Sequence, residues 1–149
     1  MSIETLSTAS ISDAGQGDVL LSRRGGLETF LIGTAPSGTL MAIALDGERP
    51  FDAAPNEDWG SRSGLLIRRP RIVVDVESSR TIDELPLGSL HLNGNALRIA
   101  VKGNFGHAFV LVHGSGVETT KEAVVFTRWK IVAEDARGNT EDLFCSTPS

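Results

Sequence analysis

At 149 residues, with 40% apolar and 22% charged side chains, the chain has the size and composition of one ordinary globular domain. A net charge of −5, no Tyr, six Phe and two Trp argue against nucleic acid and anionic membranes: the overall field repels phosphate, and few rings are available to stack on bases. The single cysteine, Cys145, excludes an intramolecular disulfide, and no apolar run approaches the roughly 18 residues of a membrane helix.

Residues 1–17 show no steady apolar period and hold Gly15 and Gly17. They are expected to form a flexible N-terminal arm, with a short helix near residues 3–6 allowed, ahead of one β-rich domain over 18–149. This start lacks the basic and apolar parts of a secretory signal, so the expected location is the cytoplasm, as for a bacterial protein or a virion component packaged from it.

Beyond the arm, apolar clusters of four to eight residues alternate with turn signals, the pattern of an all-β domain. The first cluster is 18–22, stopped by Arg23-Arg24-Gly25-Gly26; the second is 27–33, followed by a Pro- and Gly-containing turn at 34–38. The third, 39–45, is apolar on both faces and suits a central strand. A polar stretch, 46–63, carries Pro50 and Pro55. Strands over 64–68 and 71–77 are separated by Pro70, which cannot donate to a ladder, so they form one interrupted strand or an edge strand.

The clearest stretch is 87–113. Leu90 and Leu92 alternate, Asn93-Gly94 signals a hairpin, and Leu97, Ile99 and Val101 alternate against Arg98, Ala100 and Lys102. Gly103-Asn104-Phe105-Gly106 then turns the chain into 107–113, completing a three-strand antiparallel meander. A last long strand, 123–134, puts Val125, Thr127, Trp129, Ile131 and Ala133 on one face, with Phe126 and Val132 on the more polar other face. Arg137-Gly138-Asn139 permits a hairpin into 140–144. No window has helical spacing over a dozen residues. The predicted fold is therefore an antiparallel β-sandwich, jelly-roll-like, or a barrel, with little helix.

Five features carry candidate chemistry. His107 and His113 share a strand face but lie about 20 Å apart at roughly 3.3 Å per residue, too far to ligate one ion, and His91 adds no ligand spacing. The 46–63 stretch gathers Asp46, Glu48, Asp52, Glu57 and Asp58 beside Arg49, Arg62 and Trp59; it reads as a solvated loop pinned by Trp59 and Phe51. Arg68-Arg69-Pro70-Arg71, with Arg62 and Arg80, is the one basic concentration. It suits oxyanion recognition but also blunts a sheet edge, and edge protection is the simpler reading. The Gly-rich pieces around 103–106 and 114–116 adjoin strands, so they serve turns and not phosphate loops. Cys145, beside Phe144, reads as a small hydrophobe without a base partner.

No residue receives a catalytic role, and neither metal nor cofactor is expected. The leading expectation is a non-enzymatic β-sandwich acting through protein–protein contacts, a homo-oligomeric assembly component such as a shell, ring or virion part. Phe126 and Val132 are the expected interface, and the arm is free to reach a neighbouring subunit. The alternative is a small-molecule or sugar binder, or an enzyme, with a cupin-like cavity covered by 46–63. There Asp52, Glu57, Asp58, Trp59 and Arg62 would contact the ligand.

Overall fold

Alternating apolar spacing and frequent turn residues leave the backbone one economical way to satisfy its hydrogen bonds: ladders between short strands. The computed structural model describes residues 6–22, 28–59, 62–80, 86–103, 106–115 and 124–146. Among these are fourteen strands in two sheets, every ladder antiparallel, and neither sheet closes into a barrel. The all-β sandwich expectation therefore holds, and the barrel does not.

The large sheet begins with β1 (Leu6–Ser10), which pairs with β6 (Ser63–Ile67). Next come β2 (Val19–Ser22) and β3 (Glu28–Thr34), which meets β11 (Gly106–His113) at Thr34↔Leu111. Beyond lie β10 (Ala96–Gly103), β9 (Leu90–Asn93), β12 (Val124–Phe126) and β8 (Ser79–Arg80). β4 (Leu40–Ala44) branches from β3 and pairs with β5 (Ala53–Pro55). The small sheet has three strands, ordered β14 (Thr140–Cys145), β13 (Trp129–Glu134), β7 (Arg71–Val74).

The meander over 87–113 is present as β9, β10 and β11. Its first turn falls one residue later than the Asn93-Gly94 signal suggests. Asn93 still pairs with Ala96, and the two-residue loop is Gly94-Asn95. Gly94 sits at φ 60 and leads the loop, a conformation that glycine adopts without a Cβ clash. The second turn, 104–105, lies outside the described residues, as do 1–5 and the basic stop at 23–27.

β3 is the strand on which both cores rest. Phe30 and Ile32 face one side, Leu31 the other, and all three are fully buried. The main core lies between the two sheets, where Val19, Leu31, Ile43, Leu90, Ile99, Val110 and Phe126 meet Trp129 and Ile131. A second core, of Ile11, Ala14, Leu20, Phe30, Ile32, Ala42 and Leu66, lies on the opposite face of the β2–β3–β4 region.

That second core needs a lid, and the segment expected to be an arm supplies part of it. From Leu6 onward the 1–17 lead-in is not irregular: 6–10 is β1, and a one-turn 3-10 helix, Ile11–Asp13, follows. Ser10 and Asp13 cap that turn reciprocally, and Ile11 is fully buried. Alternation failed as a signal because LSTAS presents only Leu6 and Ala9 as apolar residues.

The 123–134 stretch is the other departure. It is two strands in different sheets, broken at Thr127 and Arg128, with a register irregularity at Ile131/Val132. Each interruption resets which side chains face inward. Phe126 is thus 6% exposed and Val132 4% exposed, and Phe126 belongs to the main core. Neither offers a surface for a partner.

Candidate functional site

The five residues expected to contact a ligand over 46–63 do not converge. Trp59 ends a 3-10 helix, Asn56–Trp59, and packs onto the second core: its indole Nε1 donates to the Ala42 carbonyl at 3.0 Å. Its ring meets Phe30 edge-on at 4.8 Å. Arg62 covers the outer face, its guanidinium 5.4 Å from the ring centre, while donating to the Trp59 carbonyl and pairing with Glu28 at 3.4 Å. Trp59 and Arg62 are therefore the outer layer of the lid. Glu57 and Asp58 are exposed on the same short helix. Asp52 lies at the far end, in an isolated parallel bridge with Lys102. Asp46, from the same acidic stretch, accepts from the Thr29 amide and hydroxyl at 2.8 and 2.7 Å, so it tethers the loop to β3.

Among the described residues, no group of three His, Cys, Asp or Glu could hold a metal ion. His91 is buried opposite Arg98 on β10, whereas His113 is exposed at the end of β11. Cys145, expected as a small hydrophobe, is an exposed thiol on β14 whose Sγ lies 3.7 Å from an Asp142 carboxylate oxygen.

What the fold does assemble is a groove of about 640 Å³ beside the step from β6 to β7. Its walls are the turn at 15–18, the run Arg68-Arg69-Pro70-Arg71, and His113 with Gly114; Ile72, Leu97 and Val112 give apolar surface. Asp18 organises this corner. Its side chain is 3% exposed and accepts from Arg68 Nη1 at 2.8 Å, from the Arg69 amide at 3.1 Å and from the Gly15 amide at 2.8 Å. A buried carboxylate is tolerated only when its oxygens are satisfied in this way. Gly17, at φ 87, lets the turn press against the β11 backbone. Gln16 locks the opposite wall, donating to the Gly114 carbonyl at 3.0 Å and accepting from Thr34 Oγ1 at 2.6 Å.

The sequence reading singled out the arginines but missed Asp18. A lone acid at a strand start carries no signal by itself; only the fold brings it under Arg68, fifty positions along the chain.

The sheet edges are the second feature. Among the described residues, five strands have a neighbour on one side only: β1, β5, β7, β8 and β14. β5 ends in Pro55, β7 starts with Arg71 after Pro70, β8 contains Arg80, and β14 contains Glu141 and Asp142. Charge and proline are how edges are made unattractive to other chains. β1, Leu-Ser-Thr-Ala-Ser, carries neither.

The fold and the groove together define an all-β, two-sheet sandwich with an arginine-lined cleft. The chain belongs to the Y4lG family, described as uncharacterised protein y4lG, whose family model matches residues 8–145. No curated protein and no solved structure matches it.

Proposed function

We propose that this protein is a non-enzymatic, homo-oligomeric assembly component that works in the cytoplasm through protein–protein contacts, and that copies join through the open edge of β1. The observation that carries this reading is the contrast among the edges: of the five, β1 alone has no charge and no proline.

The hydrogen-bond pattern supports it further. Ile11 donates its amide to the Arg62 carbonyl on the β6 side, so by alternation the Thr8 amide and carbonyl point to the open side. The outward Ser10 amide is already taken by Asp13 at 3.1 Å, which stops the ladder at one end. Two copies of β1 related by a twofold axis would pair antiparallel through the remaining groups and make one continuous sheet.

The test is solution mass by light scattering at micromolar and sub-millimolar concentration, for the wild-type chain and Thr8→Pro. Proline at an outward-facing edge position keeps the internal ladder but removes the donor a neighbour needs. A multimer that becomes a folded monomer in Thr8→Pro supports the reading. A wild-type monomer at both concentrations, or a multimer indifferent to Thr8→Pro, overturns it.

A further inference from the structure

We infer that the groove between the 15–18 turn and the Arg68–Arg71 run is a binding site for a small organic oxyanion, a carboxylate or phosphate carried on an apolar body. This inference is independent of the β1 contact.

Charge is the first support. The chain carries a net charge of −5, yet among the described residues this groove is lined by three arginines against one carboxylate, that of Asp18. Asp18 is buried and occupied: it neutralises Arg68 and spends its other contacts on the Arg69 and Gly15 amides. Arg71 is held only loosely, 3.8 Å from Glu134 with both side chains about half exposed or more, and such surface pairs are readily exchanged. The Arg69 guanidinium, unlike the backbone amide of the same residue, makes no hydrogen bond or ion pair among the described residues. A guanidinium is a planar cation with a fork of donors suited to two oxyanion oxygens at once.

Edge protection does not account for this arrangement. Only Arg71 belongs to an edge strand; Arg68 and Arg69 sit in the crossing before it.

Backbone conformation is the second support. Arg69 has φ 42, the left-handed region that non-glycine residues rarely adopt, and it precedes a proline. Asp18 holds it there through the Arg69 amide, and the Gly17 turn comes within reach of the Arg69 stem. Such strain persists where surrounding structure imposes it, and it is concentrated at ligand clamps. Here it directs a long cationic side chain from a crossing that a relaxed backbone would route differently.

Shape and lining select the ligand's body. The volume is that of a pocket for a small molecule, and Pro70, Ile72, Leu97 and Val112 provide apolar surface beside the cationic rim. Inorganic phosphate alone would leave that surface uncovered, while a neutral apolar molecule would leave the guanidinium groups without a partner.

The experiment is amide chemical-shift titration of the full chain with four probes: phenyl phosphate, benzoate, inorganic phosphate and benzyl alcohol. Phenyl phosphate and benzoate are expected to saturate at millimolar concentration, moving the amides of Gln16, Gly17, Arg69, Arg71 and Gly114, with weakening as salt is raised. Inorganic phosphate and benzyl alcohol are expected to bind at least several-fold more weakly. Arg69→Gln, at an exposed side chain, should leave the remaining spectrum intact and weaken phenyl phosphate roughly tenfold, whereas Arg69→Lys should recover part of the loss. No saturable shift with either organic anion, shifts scattered away from the groove, equal binding of benzyl alcohol, or unchanged affinity in Arg69→Gln would each overturn the assignment. Should Arg69→Gln disturb the fold, Arg71→Gln makes the same test from the other wall.

Discussion

The chain steps between the two sheets at two comparable places, and it makes each step by different physics. Between β6 and β7 it passes through Arg68-Arg69-Pro70; between β12 and β13 it passes through Thr127 and Arg128. The first step is held by one buried carboxylate, Asp18, reaching two consecutive arginines. The second is stitched by two serine hydroxyls. The Arg128 amide donates to Ser78 Oγ at 3.1 Å, and that hydroxyl donates to the Asp75 carbonyl at 2.7 Å. The Trp129 amide donates to Ser146 Oγ at 2.8 Å, while the Ser146 amide returns a bond to the Trp129 carbonyl at 2.9 Å. An exposed ion pair, Arg128 with Asp75 at 3.0 Å, lies outside these hydroxyls, and within them Trp129 donates its indole N–H to the Gly88 carbonyl at 2.7 Å. The first step, with its buried carboxylate and the left-handed Arg69, borders the groove. The second crossing is a seam packed around a buried aromatic ring and its ion pair is exposed, whereas the first turns on a buried carboxylate beside the larger groove.

Four substitutions sharpen or break this contrast, and the largest effect belongs to the seam. Trp129→Ala removes a buried indole from the main core beside Phe144 and should cost about 3–5 kcal/mol in denaturant unfolding. A loss under about 1 kcal/mol would mean that the seam is not built on packing. Asp18→Asn comes next. It leaves Arg68 without its partner and turns an amide group toward the Arg69 and Gly15 N–H groups, for a cost of about 2–4 kcal/mol. Equality with an ordinary surface change would refute the bracing role. Ser78→Ala should cost about 1–2 kcal/mol by stranding the Arg128 amide, with faster hydrogen exchange there as the local sign. Arg71→Ala, at a long and exposed ion pair, should change stability by no more than about 0.5 kcal/mol, in line with its freedom to turn into the groove.

The smallest effect is expected far from both crossings, at the β13–β14 hairpin. Slight desolvation pulls the Asp135 carboxyl upward, but the amides of Asn139 and Arg137 and the Asn139 side chain hydrogen-bond its charged form and hold it below the ordinary carboxylate value. A folded value below the unfolded one stabilises the turn above the unfolded pKa, and that contribution is lost as pH falls through the folded value. Side-chain carboxyl shifts followed from about pH 5 to about pH 2 should therefore place Asp135 below the ordinary aspartate value, with the Asn139 amide losing protection over the same range. An Asp135 that titrates at or above the ordinary aspartate value would remove this turn lock.

Much of the architecture was legible in the residues. Period-two alternation located β9, β10 and β11; the two-sided apolar run at 39–45 identified β4 as an internal strand; and the Arg137-Gly138-Asn139 turn placed the last hairpin. These elements announce themselves because their signals are local: alternation and turn chemistry act within a few residues. β1 and the two-residue β8 are too short or too polar to alternate visibly, and they exist because β6 and β12 offer them ladders. Parity in 123–134 was misjudged for a related reason. Thr127 and Arg128 carry no proline or glycine, so nothing local shows that the chain changes sheets there, and Phe126 and Val132 turn inward as a result.

The candidate site divides in the same way. Composition and spacing alone determined that this is an all-β chain with one concentration of arginine and a net negative charge, because those properties belong to each residue wherever the chain places it. Only tertiary structure decided that Trp59 and Arg62 serve a lid, that Asp18 sits beneath Arg68, and that Arg69 is held at φ 42 over a groove. Those outcomes depend on contacts between segments from 17 to 51 residues apart, and they are set by which strands find one another, a choice that no local pattern in the chain encodes.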